Sequence, residues 1–186
     1  MLGYKFLYII IITFTPILSL WSQQLAVDCT FIKDGYNEHL KAYEIDTKLF
    51  PFVEFFPLKS TPDKLYTTPN ILIGLSKIND NFFINLKIVF NHYSINNYPG
   101  FLPAKSQIIF HFISGEHLVL LNINDANGHK SDDKLIYNAT YFVPEEDIEV
   151  YKTKDIDFIS INWSTEGQTY ETYQVDVLRR IFECFN

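Results

Sequence analysis

Hydrophobic and polar residues alternate with a period of two along the middle of the chain. Between Phe82 and Phe90 every second residue is large and apolar, whereas Asn85 and Lys87 fall on the opposite face. This is the period of a β-strand that buries one of its two faces. We therefore predict that Phe82–Phe90 is a strand packed on a hydrophobic core.

Six further segments are predicted to be strands, and several are joined by residues that favour tight turns. The turn segments are Asn79-Asp80-Asn81, Ser114-Gly115-Glu116 and Thr165-Glu166-Gly167. The stretch Leu49–Leu58 predicts an additional strand at a sheet edge, because Pro51 and Pro57 cannot donate a ladder hydrogen bond. The other predicted strands are Ile71–Ile78, Gln107–Ile113, Leu118–Ile123, Leu135–Val143, Ile156–Trp163 and Thr169–Val175.

Two short helices are predicted in the second half. Pro144 suits a first helical position, the acids Glu145, Glu146 and Asp147 complement the helix dipole, and the helix would cover residues 144–153. A second would follow Asp176 as its N-cap. Its apolar stripe would be Val177, Leu178, Ile181, Phe182 and Phe185. Together these elements predict a mainly β or α+β fold, an antiparallel sheet or sandwich of about seven to eight strands with two short helices.

The N-terminal residues have the pattern of a targeting signal. Lys5 precedes an uncharged run of about 16 residues, Phe6–Trp21, which is shorter than the roughly 20 apolar residues of a spanning helix. We predict a signal peptide over residues 1–22 and one exported domain over residues 23–186, periplasmic or extracellular, without stable membrane insertion after cleavage. The formal net charge of −7 disfavours a nucleic-acid partner.

The chain contains two cysteines, Cys29 and Cys184. In an oxidising compartment an even number suggests one disulfide. Two buried free thiols are the alternative. Lipidation of Cys29 is disfavoured, because Asp28 occupies a position where a lipid-modification sequence needs a small uncharged residue.

His111 and His117 flank a predicted turn and could form half of a metal site. A two-residue turn at Gly115-Glu116 would pair Phe112 with Val119 and place the histidines on opposite faces. A three-residue turn would put them on one face, but among apolar residues. We predict the first register, and therefore no metal site and no cofactor.

Other candidate chemistry has ordinary explanations. The loop Asn122–Asp133 is rich in oxygen ligands, but an EF-hand alignment puts Ile123 first and Lys134 twelfth, so that motif is rejected. Two interpretations of this loop remain: a less regular calcium-binding loop and an ordinary solvated loop. Acidic residues near Glu145 and Asp155 fit a helix start and a strand surface better than a glycosidase pair. Common catalytic motifs are absent from the sequence.

Aromatic residues make up 17% of the chain. Tyr93, Tyr98 and Phe101 lie among Asn and Pro, outside any alternating run, and exposed rings of this kind bind partners. We predict that these three residues carry any binding function. The alternative is that they fold back over the end of the sheet.

Part of the second half has a recognisable order of elements. A hairpin with a Gly-Glu turn within Ser106–Asn124 is followed by a strand, then by an acidic helix start and a strand ending in a polar turn within Val143–Gly167. This order resembles uncharacterised exported β-rich proteins of Bacteroidota-like bacteria, and the resemblance implies an exported β-rich domain but indicates no particular activity. The leading hypothesis is a non-catalytic domain that binds a protein or glycan or has a structural role in the envelope. The alternative is a secreted hydrolase acting on carbohydrate or lipid.

Overall fold

A computed structural model describes residues 29–54, 69–91 and 99–185. Within these ranges the chain is mainly antiparallel β-structure with two short helices, as predicted. The helices are α1 (Ile148–Thr153), which follows a 3-10 turn at Glu145–Asp147, and α2 (Val177–Glu183). The strands are β1 (Phe31–Asn37), β2 (Ala42–Thr47), β3 (Phe50–Val53), β4 (Asn70–Ile78), β5 (Asn81–Phe90), β6 (Gln107–Phe112), β7 (His117–Leu121), β8 (His129–Ser131), β9 (Lys134–Val143), β10 (Ile156–Asn162) and β11 (Gly167–Glu171).

The strands form two sheets. The larger one has the order β1-β2-β4-β5-β9-β8, and β3 pairs with β4 beyond the end of β2. The smaller one has the order β11-β10-β6-β7. An isolated bridge between Asn122 and Tyr141 connects the end of β7 to β9, so the two sheets are joined along one side.

The apolar faces of the two sheets enclose a single core. Phe52 of β3 and Phe110 of β6 have ring centres 6.3 Å apart. Trp163, just after β10, lies 4.9 Å from the Tyr137 ring and 5.8 Å from the Phe90 ring of the larger sheet. These ring contacts fill the space between the layers, as in a β-sandwich.

The helices pack over one end of this core. Tyr151 of α1 is fully buried and contacts Phe110 and Phe112 edge-on. Phe182 of α2 lies parallel to the Tyr151 ring at 6.0 Å and also contacts Phe82 of β5. Neither helix is long enough to be stable alone, so these buried rings hold both in place.

A disulfide joins Cys29 to Cys184 with a Cα–Cα distance of 5.4 Å, within the range this bond requires. It links the segment before β1 to the end of α2. Phe31 and Phe185 meet beside it with ring centres 5.4 Å apart. The predicted pairing is therefore present, and the two ends of the domain lie together.

Several local predictions need correction. The hairpin of β1 and β2 was not predicted, and neither was β8. The last strand of the smaller sheet is Gly167–Glu171, earlier than the predicted Thr169–Val175. Asp176 does precede α2, but its carboxylate makes no cap hydrogen bond and instead pairs with Arg179 and Arg180 of the following turn.

Candidate functional site

Strands β1 and β2 form a hairpin that presents large apolar side chains to solvent. Ile32, Tyr36, Leu40 and Tyr43 are 69%, 58%, 52% and 49% exposed, and we call these four residues the hairpin surface. Tyr36 and Tyr43 are cross-strand partners, so their side chains share one face. Within the part of the chain that the structure describes, β1 is the edge strand of the larger sheet, so this surface lies at a sheet edge.

Polar contacts stiffen the hairpin on both faces. The Tyr43 hydroxyl donates a hydrogen bond to Asp34, and this bond is the main reason that the pKa of Tyr43 is raised. On the other face Glu44 accepts hydrogen bonds from Lys33 and Asn37, which lower its pKa. Side-chain hydrogen bonds between β1 and β2 therefore hold the backbone that carries the hairpin surface.

The second feature is the outer face of the smaller sheet, where His111 and His117 are cross-strand partners with ring centres 6.0 Å apart. The predicted register, which separated them, is wrong. The turn is formed by Ile113, Ser114 and Gly115: Gly115 has φ +87° and its N–H donates to the Phe112 carbonyl at 2.8 Å. A three-residue hairpin loop commonly ends in such a left-handed glycine, which makes a bulge and shifts the register.

The shifted register also changes which residues of β7 are buried. Leu120 is buried and Leu118 packs against the core, whereas Val119, Leu121 and the following Ile123 are exposed. The segment Leu118–Ile123 is apolar at every position but one, so the period-two pattern could not choose between its faces. The histidines therefore lie among exposed apolar side chains.

His111 is held by two side chains of the neighbouring strand β10, Phe158 and Ser160. Its ring stacks on Phe158 with centres 4.1 Å apart and an interplanar angle of 18°. Its Nε2 is 3.2 Å from the Ser160 Oγ, which is in turn 3.0 Å from the Thr169 Oγ1. Burial, and next the proximity of His117, lower the pKa of His111.

A histidine bonded to a serine is also part of a hydrolytic triad, so the Ser160–His111 pair bears on the hydrolase hypothesis. Among the residues that the structure describes, no carboxylate bonds to His111. Ser160 lies within β10, which has ladder partners on both sides, so the neighbouring backbone N–H groups are not gathered into an oxyanion hole. Within the described ranges, the pair therefore has a nucleophile and a base but no group placed to stabilise a transition state.

The predicted binding residues Tyr93 and Tyr98 lie outside the described residues. Phe101 is 40% exposed, and its backbone is fixed. The N–H of Phe101 donates to the Ser164 Oγ at 3.0 Å, and the Ser164 N–H donates to the Phe101 carbonyl at 2.9 Å. The Tyr137 hydroxyl donates to the Gly100 carbonyl at 2.6 Å. Phe101 is thus an exposed ring on an anchored segment, and its role in binding stays a prediction.

A concavity of about 400 Å³ lies where β3, β4, β5 and β9 meet. This volume is in the range of small-molecule sites. Its described lining includes the single carboxylate of Glu54 and the ammonium of Lys134. One carboxylate does not make the pair that glycoside hydrolysis uses. The described lining residues are Val53, Glu54, Asn70, Leu72, Val89, Asn91 and Lys134.

The oxygen-rich loop has structural roles. Asp125 accepts a hydrogen bond from the Ala104 N–H at 2.7 Å, and Asp132 occupies the turn between β8 and β9 with φ +54°. Glu145, Glu146 and Asp147 form the 3-10 turn before α1, as predicted from the acidic helix start. In residues 29–54, 69–91 and 99–185, no group of three or more His, Cys, Asp or Glu side chains is placed to hold a metal ion.

Comparison with known proteins adds no further constraint. No protein-family model, curated protein or solved structure matches this chain. Across the described residues, no helix combines the length and apolar character needed to cross a bilayer.

Sequence reasoning missed the hairpin surface and the histidine pair. The signal for the hairpin was weak, because Tyr36 and Tyr43 point outwards and β1 mixes charged and apolar residues without a clear period. The signal for the histidine pair was Gly115, which can serve as the third residue of a bulged loop. Both features depend on register, which a local pattern specifies poorly when both faces carry apolar residues.

Proposed function

We propose that this chain is an exported, non-catalytic domain that binds a protein partner through the hairpin surface. The observation that carries the proposal is the exposure of four large apolar residues, Ile32, Tyr36, Leu40 and Tyr43, in a chain that already has a full core. Tyr36 and Tyr43 are cross-strand partners, and exposed apolar side chains that lie side by side commonly mark an interaction site.

The composition of the surface favours a protein over a glycan. Tyrosine supplies a large contact area and a polar tip at little entropic cost, and it is enriched in interface centres. Ile32 and Leu40 add aliphatic area, which complements the apolar side chains of another protein. Among the described strands β1 is the outermost, and such an edge offers backbone groups to which a partner strand can pair.

Export is part of the same proposal. The signal-like residues 1–22 lie outside the described residues, so they support it only through their sequence. The disulfide between Cys29 and Cys184 is compatible with an oxidising compartment. Intact-mass measurement of the protein from its producing cell is expected to show loss of residues 1–22, give or take a few. A full-length product in the cytoplasm contradicts export.

The binding surface is tested by comparing two sets of substitutions. Immobilised wild-type protein is exposed to envelope and secreted proteins of the producing cell, and bound partners are quantified after cross-linking. The double variant Tyr36→Ala/Tyr43→Ala is expected to lose the captured protein, whereas Ile113→Ala, which truncates another well-exposed apolar side chain, retains it. Equal capture by the double variant and wild type contradicts the hairpin surface.

The triple variant Tyr93→Ala/Tyr98→Ala/Phe101→Ala tests the loop predicted from the sequence. Loss of capture in this variant alone assigns binding to the loop instead. Each variant is first checked by thermal unfolding, because a melting temperature within a few degrees of wild type shows that the rings are not part of the core. Binding of cell-wall polysaccharide without any protein partner contradicts the choice of a protein.

A secreted hydrolase is the second candidate, and the contact between Ser160 and His111 is the observation that favours it. An activated serine reacts with a fluorophosphonate probe, because such probes trap serine nucleophiles that have a working general base. Labelling of wild type that disappears in Ser160→Ala supports the hydrolase. Absence of labelling supports the binding domain.

A further inference from the structure

We propose that His111 and His117 form a two-histidine site for a divalent transition-metal ion, with Cu²⁺ as the ion bound most tightly. The two residues are cross-strand partners on the outer face of the smaller sheet, and His117 is exposed there. The reason for predicting no metal site was a register that separated them, and that register is wrong. This site lies apart from the hairpin surface and goes beyond the proposed binding function.

The spacing of the two rings suits one shared ion. A bond from a metal to an imidazole nitrogen is about 2.0–2.1 Å long, so two rings that bind one ion have centres about 5–6 Å apart. The observed separation is 6.0 Å with an interplanar angle of 33°. His117 is exposed, so its ring is free to turn toward an ion bound at His111.

The surroundings of His111 are those of an oriented ligand. Histidines that bind metals usually donate their other ring N–H to a hydrogen-bond acceptor, which fixes the tautomer and the ring plane. Here the Nε2 of His111 can donate to the Ser160 Oγ at 3.2 Å, and Thr169 holds that hydroxyl from the neighbouring strand at 3.0 Å. In the proposed site Nδ1 then supplies the lone pair, while stacking on Phe158 restricts the ring.

The donor set selects the class of ion. Imidazole nitrogens suit Cu, Zn and Ni, whereas Ca²⁺ and Mg²⁺ require oxygen ligands. A structural zinc site uses four protein ligands, and the described residues provide two here. Among divalent ions of the first transition row Cu²⁺ binds a given nitrogen site most tightly. Water would fill its remaining positions.

Titration of the purified, disulfide-bonded protein with Cu²⁺, followed by calorimetry and electron paramagnetic resonance, tests the site. We expect one tight ion per chain, with a spectrum that reports two imidazole nitrogens. His117→Asn is expected to weaken that site by about ten-fold or more, because the second imidazole acts at a high effective concentration. His39→Asn and His129→Asn are matched controls, since both replace exposed histidines elsewhere, and they are expected to leave the tight site unchanged.

Ser160→Ala separates a positioning role from a merely structural one. Loss of an outer-shell partner typically lowers metal affinity by about 10–100-fold, and Ser160→Thr should restore it because the hydroxyl is kept. Retention of the tight site in His117→Asn, an equal loss in a control variant, or a spectrum with one nitrogen overturns the proposal. Because His117 is exposed, we expect His117→Asn to keep the melting temperature of wild type. Loss of copper binding in that variant then cannot be explained by unfolding.

Discussion

Removing the disulfide between Cys29 and Cys184 is expected to lower the free energy of unfolding by about 3–5 kcal/mol. The bond closes a loop with a sequence separation of 155 residues. Loop-closure entropy for this length is worth about 5 kcal/mol, and measured effects are often smaller. A domain of this size has a net stability of about 5–15 kcal/mol, so the bond contributes a large share of the total.

The double variant Cys29→Ser/Cys184→Ser is still expected to fold. Phe185 packs against both Phe31 and Phe82 at 5.4 Å, so ring contacts keep the two ends of the chain together without the covalent bond. Each kcal/mol corresponds to about 2–4 °C for a chain of this length. The melting temperature is therefore expected to fall by about 6–20 °C.

Thermal and urea unfolding, with and without reductant, provide the assay. Reductant should lower the melting temperature of wild type to that of the double variant, and it should have no effect on the double variant itself. Titration of thiols in the unfolded, unreduced protein supplies an independent check. Two reactive thiols per chain, or a double variant as stable as wild type, refutes the reasoning.

Three further predictions concern buried and strained positions. Gly100→Ala should destabilise the protein by about 1–3 kcal/mol in urea unfolding. The reason is that Gly100 has φ +95° and that a Cβ there would lie 2.2 Å from the Ser164 Oγ. An unchanged unfolding midpoint contradicts this prediction. Tyr141→Phe should be neutral or stabilising by about 1 kcal/mol, since that buried hydroxyl has no hydrogen-bond partner among the described residues; a clear loss would mean that the hydroxyl is bonded in solution. The lowered pKa of His111 means that the unfolded state binds more protons below the ordinary value of 6.5, so stability should fall as the pH drops from 6.5 through the lowered value. His117→Gln should reduce that slope, and identical slopes in the two proteins would contradict the contribution of His117.

The period-two pattern located the strands of the core correctly. Strands β4, β5 and β9 begin within one residue of their predicted starts and end at the predicted residues. In each of these strands the residues that face the core are apolar. The sequence pattern and the observed burial therefore agree. The apolar stripe of α2 was also correct, because Val177, Leu178, Ile181 and Phe182 are all buried.

The pattern failed where side chains do not alternate by burial. In β7 the apolar residues on both faces left two registers open, and Gly115 decided between them through its left-handed backbone. The alternation of apolar residues does not contain this information, because it does not show which residue of the turn adopts the left-handed backbone. The hairpin of β1 and β2 was also missed because its side chains do not alternate by burial. Its large residues Tyr36 and Tyr43 lie on the exposed face.

Two features that the sequence pattern missed, the hairpin of β1 and β2 and the register of β6 with β7, carry the candidate sites. An apolar residue that is buried is explained by folding alone. Ile84 and Ile88 of β5 are examples, because both are fully buried. Tyr36, Tyr43 and His117 stay exposed and contribute little to the core, so folding does not account for their chemistry. Exposed aromatic and imidazole groups on paired strands are held at fixed spacing, which is what recognition of a protein surface or a metal ion requires. The hairpin surface and the histidine pair are therefore the places where substitutions should change binding while leaving the fold intact.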